Sequence, residues 1–208
     1  MVEEAVFFDS GDLKIEGLID RAGGDRAVVV THPHPLYGGE MHNNVVEAVT
    51  AAYRKGGYTT LRFNFRGVGR SGGAYGEGIG EQEDVQGALT LLREAAKTQI
   101  DLAGYSFGAW INALGTDRFE EVKRFVMVSP PVGLVDFSFL KYEPRIGLVI
   151  AGSHDDIGPP VLIRDMVQTW NPEARIEIIE GADHFYLGRT GEIEKIIGSF
   201  LGAAQKAE

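Results

Sequence analysis

Ile100-Asp101-Leu102-Ala103-Gly104-Tyr105-Ser106-Phe107-Gly108-Ala109-Trp110-Ile111-Asn112-Ala113-Leu114 decides how the rest of the chain is read. The residues up to Ala103 predict a short apolar strand, and those after Gly108 predict a helix. Between them a serine stands with a glycine two positions away on either side. A chain that turns from strand to helix in so little space folds back sharply. The strain falls on the serine, and side chains two residues away have no room, a need that glycine meets. The turn leaves a hydroxyl at a helix N-terminus, where the peptide dipoles favour developing negative charge. This is the sequence form of a nucleophile elbow. Gly69-Arg70-Ser71-Gly72-Gly73 has the same G-x-S-x-G spacing, in a chain with 28 glycines among 208 residues. It lies in the glycine-rich run from Gly67 to Gly80 with no helix directly after it, so Ser106 rather than Ser71 is the expected nucleophile.

Outward from this turn, strands and helices alternate. Residues 4–9 and 13–19 predict two strands joined at Ser10-Gly11-Asp12. The β-branched run 27–31 predicts a strand covered on both faces. Asn43 or Asn44 can cap a helix whose apolar positions Val45, Ala48, Val49, Ala52 and Tyr53 follow helical spacing, with Gly56-Gly57 ending it. Residues 58–65 predict a strand, the stripe Val85, Ala88, Leu89, Leu92 a helix, and 125–128 and 148–151 two further buried strands. A helix over 161–169, an edge strand at 176–178 and a helix bearing Ile193, Ile196, Ile197, Phe200 and Leu201 complete the pattern. Alternation of this kind implies crossover connections. The expected class is therefore α/β, with a mostly parallel twisted sheet of about eight strands, helices on both faces and an N-terminal hairpin, in one domain over 1–208. In such a sheet the ligand-bearing groups lie at the carboxyl ends of the strands.

A serine hydroxyl needs a base to take its proton, and histidine is suited to that near neutral pH. The chain has His32, His34, His42, His154 and His184. His184, in Gly181-Ala182-Asp183-His184-Phe185, follows the last strand and so lies at a carboxyl end. The imidazole must be held in one tautomer by a carboxylate. Asp155, just past the strand ending at Ala151-Gly152, is at another carboxyl end, and Asp156 beside it competes for the role. Asp183 shares a loop with His184 and would struggle to face its ring. A tetrahedral intermediate also needs two N–H donors. One is the backbone of Phe107. The other is expected in the loop Thr31-His32-Pro33-His34-Pro35-Leu36-Tyr37-Gly38-Gly39, where Pro33 and Pro35 have no N–H. That leaves His34, with Leu36 as the alternative. His32 is read as anchoring this loop. Tyr37, Trp110, Phe185 and Tyr186 are near enough in sequence to line a substrate pocket, although Trp110 and Phe185 equally fit core aromatics.

His32-Pro33-His34-Pro35-Leu36-Tyr37-Gly38-Gly39, Arg62-Phe63-Asn64-Phe65-Arg66-Gly67-Val68-Gly69, Gly104-Tyr105-Ser106-Phe107-Gly108 and Gly181-Ala182-Asp183-His184-Phe185 resemble, in order and over nearly the whole length, the α/β-hydrolase superfamily. Within it they resemble the small lidless bacterial hydrolases related to dienelactone hydrolase. The resemblance implies Ser106 as nucleophile, His184 as base and Asp155 as orienter, because the family acid follows a strand in a Gly-x-x-Asp context that Gly152-Ser153-His154-Asp155 fits. Dienelactone hydrolase itself uses cysteine where this chain has Ser106, so its substrate does not carry over. Pro130 to Pro144, where relatives often insert a lid, fits a short loop.

Composition narrows the classes. A net charge of −10 argues against a nucleic-acid partner. The absence of cysteine rules out a disulfide scaffold and a thiol nucleophile and sits most easily with a cytoplasmic protein. The acidic start predicts no signal peptide, and no stretch is long and apolar enough to predict a membrane span. Gly67-Val68-Gly69-Arg70-Ser71-Gly72 fits a dinucleotide fingerprint but opens no helix at once. His32 and His34 with His42, His154 and Asp155 suggest a metal site, but without a ligand motif. The expectation is a serine hydrolase of the carboxylesterase type acting on a small-molecule acyl substrate, without cofactor, metal, nucleic-acid or membrane partner. Thioesters and amides, a catalytically silent binding module, and a monomer or homodimer all remain open.

Overall fold

The computed structural model describes residues 3–204. One eight-stranded sheet runs in the order β1 (Glu4–Ser10), β2 (Leu13–Asp20), β4 (Thr59–Phe63), β3 (Arg26–Thr31), β5 (Gln99–Tyr105), β6 (Val122–Val128), β7 (Ile146–Gly152), β8 (Arg175–Ile179). β1 pairs with β2 and β2 with β4 in antiparallel fashion, and every other pairing is parallel. The hairpin, the strand count and the mostly parallel sheet agree with the sequence reading.

Helices cover both faces because the inner strands are apolar on both. In β3, Ala27 and Val29 join one core while Val28 and Val30 join the other. In β7 the same alternation sends Val149 and Ala151 one way and Leu148 and Ile150 the other. Helices α2 (Ile79–Glu94), α3 (Phe107–Leu114) and α4 (Pro160–Trp170) pack on the first face, and α1 (Asn44–Lys55) and α5 (Thr190–Ala204) on the second. The Asn43 side chain caps α1 by accepting from the Val45 N–H at 2.9 Å.

Helix α2 begins earlier than its apolar stripe implies, taking in Gly80. The buried Glu81 carboxylate accepts the Gly76 and Gly78 N–H groups at 2.7 and 2.8 Å, which starts the helix there. A side chain at Gly80 would lie 2.2 Å from the Arg66 guanidinium, so the glycine serves packing rather than a turn. Arg66 in turn is held by Asp84, whose carboxylate also accepts from Ser10 at 2.7 Å. Between β6 and β7, Ser129–Arg145 contains neither helix nor strand, as a chain without a lid requires. No helix among the described residues is long and apolar enough to cross a membrane.

Candidate active site

Ser106 follows β5 directly and caps α3 with φ 53° and ψ −119°, a conformation that ordinary residues avoid. Its N–H donates to Val128 O at 2.9 Å, which ties the turn to the end of β6. The flanking glycines are required by contact. A β-carbon at Gly104 would lie 2.6 Å from Ala109 N, and one at Gly108 would lie 2.6 Å from Thr31 O. Both neighbours are backbone and cannot step aside. Gly108→Ala is therefore expected to destabilise the protein by about 1–3 kcal/mol and to displace the serine. A thermal midpoint and turnover equal to wild type would contradict this.

Three residues distant in sequence meet at the carboxyl ends of the strands. Ser106 Oγ lies 2.8 Å from His184 Nε2, and His184 Nδ1 lies 2.9 Å from each oxygen of Asp155. All three are buried, Ser106 with 8% of its surface exposed. Asp155 Oδ1 also accepts the N–H groups of Ile157 at 2.9 Å and Gly158 at 2.7 Å, and Oδ2 accepts from Ser129 Oγ at 2.6 Å. Burial opposes the carboxylate charge, but the bond and positive charge of His184 and these donors outweigh it, holding Asp155 below its ordinary value. An ionised carboxylate only accepts, so His184 Nδ1 carries the hydrogen and Nε2 offers its lone pair to the Ser106 hydroxyl. Tyr105 OH donates to His184 O at 2.8 Å and fixes the loop that bears the imidazole. Asp156 and Asp183 are exposed.

The loop after β3 lies beside the elbow because Thr31 pairs with Gly104 across the sheet. His32 is buried. Its Nε2 accepts the Phe65 N–H at 3.0 Å, and its Nδ1 donates to Pro33 O at 2.6 Å. Both ring nitrogens are committed, so this residue anchors the loop and has no lone pair for a metal. Burial pushes its pKa down to about 4 from 6.5. Between those values the unfolded chain binds more protons than the folded one. Stability therefore falls as the pH drops through that window, by up to about 1.4 kcal/mol for each pH unit crossed. Urea unfolding at a series of pH values checks this. His32→Gln, which takes up no proton, is expected to flatten that part of the dependence, and an unchanged slope would contradict the assignment.

His34 follows on a tight turn. Its Nδ1 accepts the Leu36 N–H at 3.2 Å, so Leu36 is already bonded. The N–H groups of His34 and Phe107 have no hydrogen-bond partner among the described residues. Their rings touch, with centroids 4.6 Å apart, and Tyr75 joins both at 5.1 and 6.0 Å.

The other predicted pocket residues divide. Tyr37 and Phe185 are exposed, the latter 5.8 Å from the His184 ring. Trp110 is half-buried. It packs on Phe107 and donates Nε1–H to Asp136 O at 3.2 Å, tying α3 to the β6–β7 segment. Tyr186 is a correction to the sequence reading. It is 0% exposed and cannot line a pocket. Its backbone has a positive φ of 54°, and its hydroxyl lies 2.6 Å from Ser129 Oγ behind the site. Ser129 itself was not singled out by the sequence reading. The sequence places it at a carboxyl end, directly after the buried run Phe125-Val126-Met127-Val128, but nothing along the chain pairs it with Asp155.

The alternative serine, Ser71, serves structure. Its hydroxyl donates to Asn64 O at 2.7 Å and accepts the Glu16 N–H at 3.1 Å. In the glycine-rich run the N–H groups of Arg70, Gly76 and Gly78 are taken by the carboxylates of Glu16 and Glu81, so a phosphate would find these donors occupied by negative charge.

No protein-family model matches the chain. An uncharacterized protein of Rickettsia prowazekii (strain Madrid E) is 38% identical over 209 residues, spanning 94% of this chain and 87% of that protein. Among solved structures, an α/β serine hydrolase homologue from Coxiella burnetii is 33% identical with a TM-score of 0.88, over 96% of this chain and 97% of that one. An α/β serine hydrolase without a lid from Xanthomonas campestris is 28% identical with a TM-score of 0.87, over 98% and 95%.

Proposed function

This chain belongs to the α/β-hydrolase superfamily, and on that premise we propose that it is a serine hydrolase that cleaves a small carboxylic ester through an acyl-enzyme. One observation carries the reading: the unbroken hydrogen-bonded series from Ser106 Oγ through His184 to Asp155, at 2.8 and 2.9 Å. Ser106 Oγ attacks the acyl carbon as its proton passes to His184 Nε2, and Asp155 stabilises the imidazolium through Nδ1–H. The unpartnered N–H groups of His34 and Phe107 receive the oxyanion, a contribution whose loss for one donor costs about 10²–10³ in turnover. His184 then delivers its proton to the departing alcohol. A water molecule repeats the sequence on the acyl-enzyme and frees the acid. Tyr37 and Phe185, both exposed, form an apolar rim for the acyl or alcohol group.

Thioesters and amides offer the same carbonyl to the same groups, and the amide is the most demanding of the three because its amine is the poorest leaving group. The test is a panel of p-nitrophenyl esters from acetate to octanoate, with a thioester and an anilide of the same acyl group. Turnover of the short esters above the thioester and anilide is expected. Failure to turn over any member would contradict the proposal.

A further inference from the structure

We propose that Ser129 is a positioning residue for the triad acid, its hydroxyl, gripped from behind by Tyr186, holding the Asp155 carboxylate against His184. This rests on the assignment of Ser106, His184 and Asp155 as the reacting series.

Ser129 follows β6 and is fully buried, with φ at 44°, a left-handed conformation that glycine would adopt more easily. Its N–H donates to Ile150 O at 2.7 Å and seats it between the ends of β6 and β7. A serine hydroxyl has one hydrogen, and here it goes to Asp155 Oδ2 at 2.6 Å. The Tyr186 hydroxyl, 2.6 Å from Ser129 Oγ, must then supply its own hydrogen. The direction of the series is fixed: Tyr186 donates to Ser129, Ser129 to Asp155.

The two carboxylate oxygens are held differently. Oδ1 is anchored by two backbone N–H groups, whereas on Oδ2 Ser129 is the one donor besides the imidazole among the described residues. The titratable groups facing Asp155 are His184, Tyr105 from β5 and Tyr186 from the loop after β8, with Asp183 acting on the two tyrosines. Burial pushes both tyrosines well above their ordinary value, the Ser129 bond draws Tyr186 back in part, and the charge of Asp155 raises both further, so they remain neutral donors across the working range. Without the Ser129 hydroxyl, negative charge on Oδ2 meets the imidazole with less compensation. Protons on the carboxyl and on the imidazolium are then both held more tightly, and the carboxylate can pivot about Oδ1.

The experiment is the kcat/KM–pH profile of Ser129→Ala and Ser129→Gly on p-nitrophenyl acetate, with thermal midpoints alongside. Both variants are expected to lose about tenfold in kcat with KM unchanged, as for one hydrogen bond to a charged group. In both, the acid limb moves to higher pH. Glycine also relieves the positive φ, so agreement between the two variants assigns the effect to the hydroxyl and not to the backbone. Tyr186→Phe is expected to move the acid limb the same way by less. It carries the test with Ser129→Gly if the alanine variant does not fold. A wild-type acid limb and kcat in the serine variants, or a lowered thermal midpoint with no shift of the limb, overturns the proposal. Ser106→Ala is run beside them. If that variant stays active, the reading of the site has failed, whereas an inactive Ser106→Ala with unaltered Ser129 variants sinks the role of Ser129 alone.

Discussion

Ser106→Ala is expected to lower turnover on p-nitrophenyl acetate by about 10⁶ while leaving the protein folded. The size of the effect follows from the place of the hydroxyl. It is the group that bonds to the acyl carbon, and it is the one the His184 lone pair faces at 2.8 Å. Ser71 cannot substitute, since both sides of its hydroxyl are engaged by Asn64 and Glu16. What survives is the contribution of the N–H donors and of binding, which still favours hydrolysis over bulk water. The fold should tolerate the change because Ser106 makes its structural bond through its N–H, to Val128 O. A companion variant separates function from strain. Ser106→Gly is expected to be equally inactive yet to melt at a higher temperature, since the backbone at φ 53° stores roughly 1–3 kcal/mol that glycine does not. Measured kcat values within tenfold of wild type would remove Ser106 from the reaction.

The second large effect is expected at Asp155. Asparagine there fits the same space, but its amide cannot present two acceptor oxygens to Ile157, Gly158, Ser129 and His184 together. If the amide nitrogen faces the imidazole, Nδ1 becomes an acceptor and Nε2 carries the hydrogen. The imidazole then confronts the serine with a proton instead of a lone pair and cannot act as base. The expected loss is about 10⁴ in kcat near neutral pH. Asp156→Asn provides the control: Asp156 is exposed and should leave kcat near wild type. Because Asp155 is held below its ordinary value, it remains charged well into the acid range, and the stability it contributes is lost as the pH falls from the ordinary carboxylate value through that lowered one. Equal losses in the two asparagine variants would show that the acid has been misassigned.

Legibility in the sequence varied with the kind of information each feature needs. The alternation of apolar runs was enough for the α/β sheet, because strands covered on both faces, such as Val28-Val29-Val30, are distinct from helical stripes such as that of α5. The elbow was readable from its glycines, each of which lacks space for even one carbon. His184 is reachable through the rule that groups at carboxyl ends converge, whereas that rule leaves Asp155 and Asp156 open and the family resemblance favours Asp155. Three features were out of reach. Ser129 acquires its partner only because β6 lies beside β7, a pairing fixed by the topology of the sheet and not by any spacing along the chain. Tyr186 fits a pocket residue by its nearness to His184, but sequence distance does not say which way a side chain turns. Tyr186 is fully buried while Phe185, one residue earlier, stays exposed. The early start of α2 was hidden for a similar reason. Gly80 looks like loop until Arg66, from another segment, is seen to occupy the space above it.

The central claim is that Ser106 is a nucleophile made reactive by its neighbours, and covalent labelling tests it most directly. Wild-type protein treated with a fluorophosphonate should gain a single adduct by intact mass, mapped by peptide sequencing to Ser106, and His184→Ala should label far more slowly. An adduct on another residue, or no adduct on a folded wild-type protein, would contradict it.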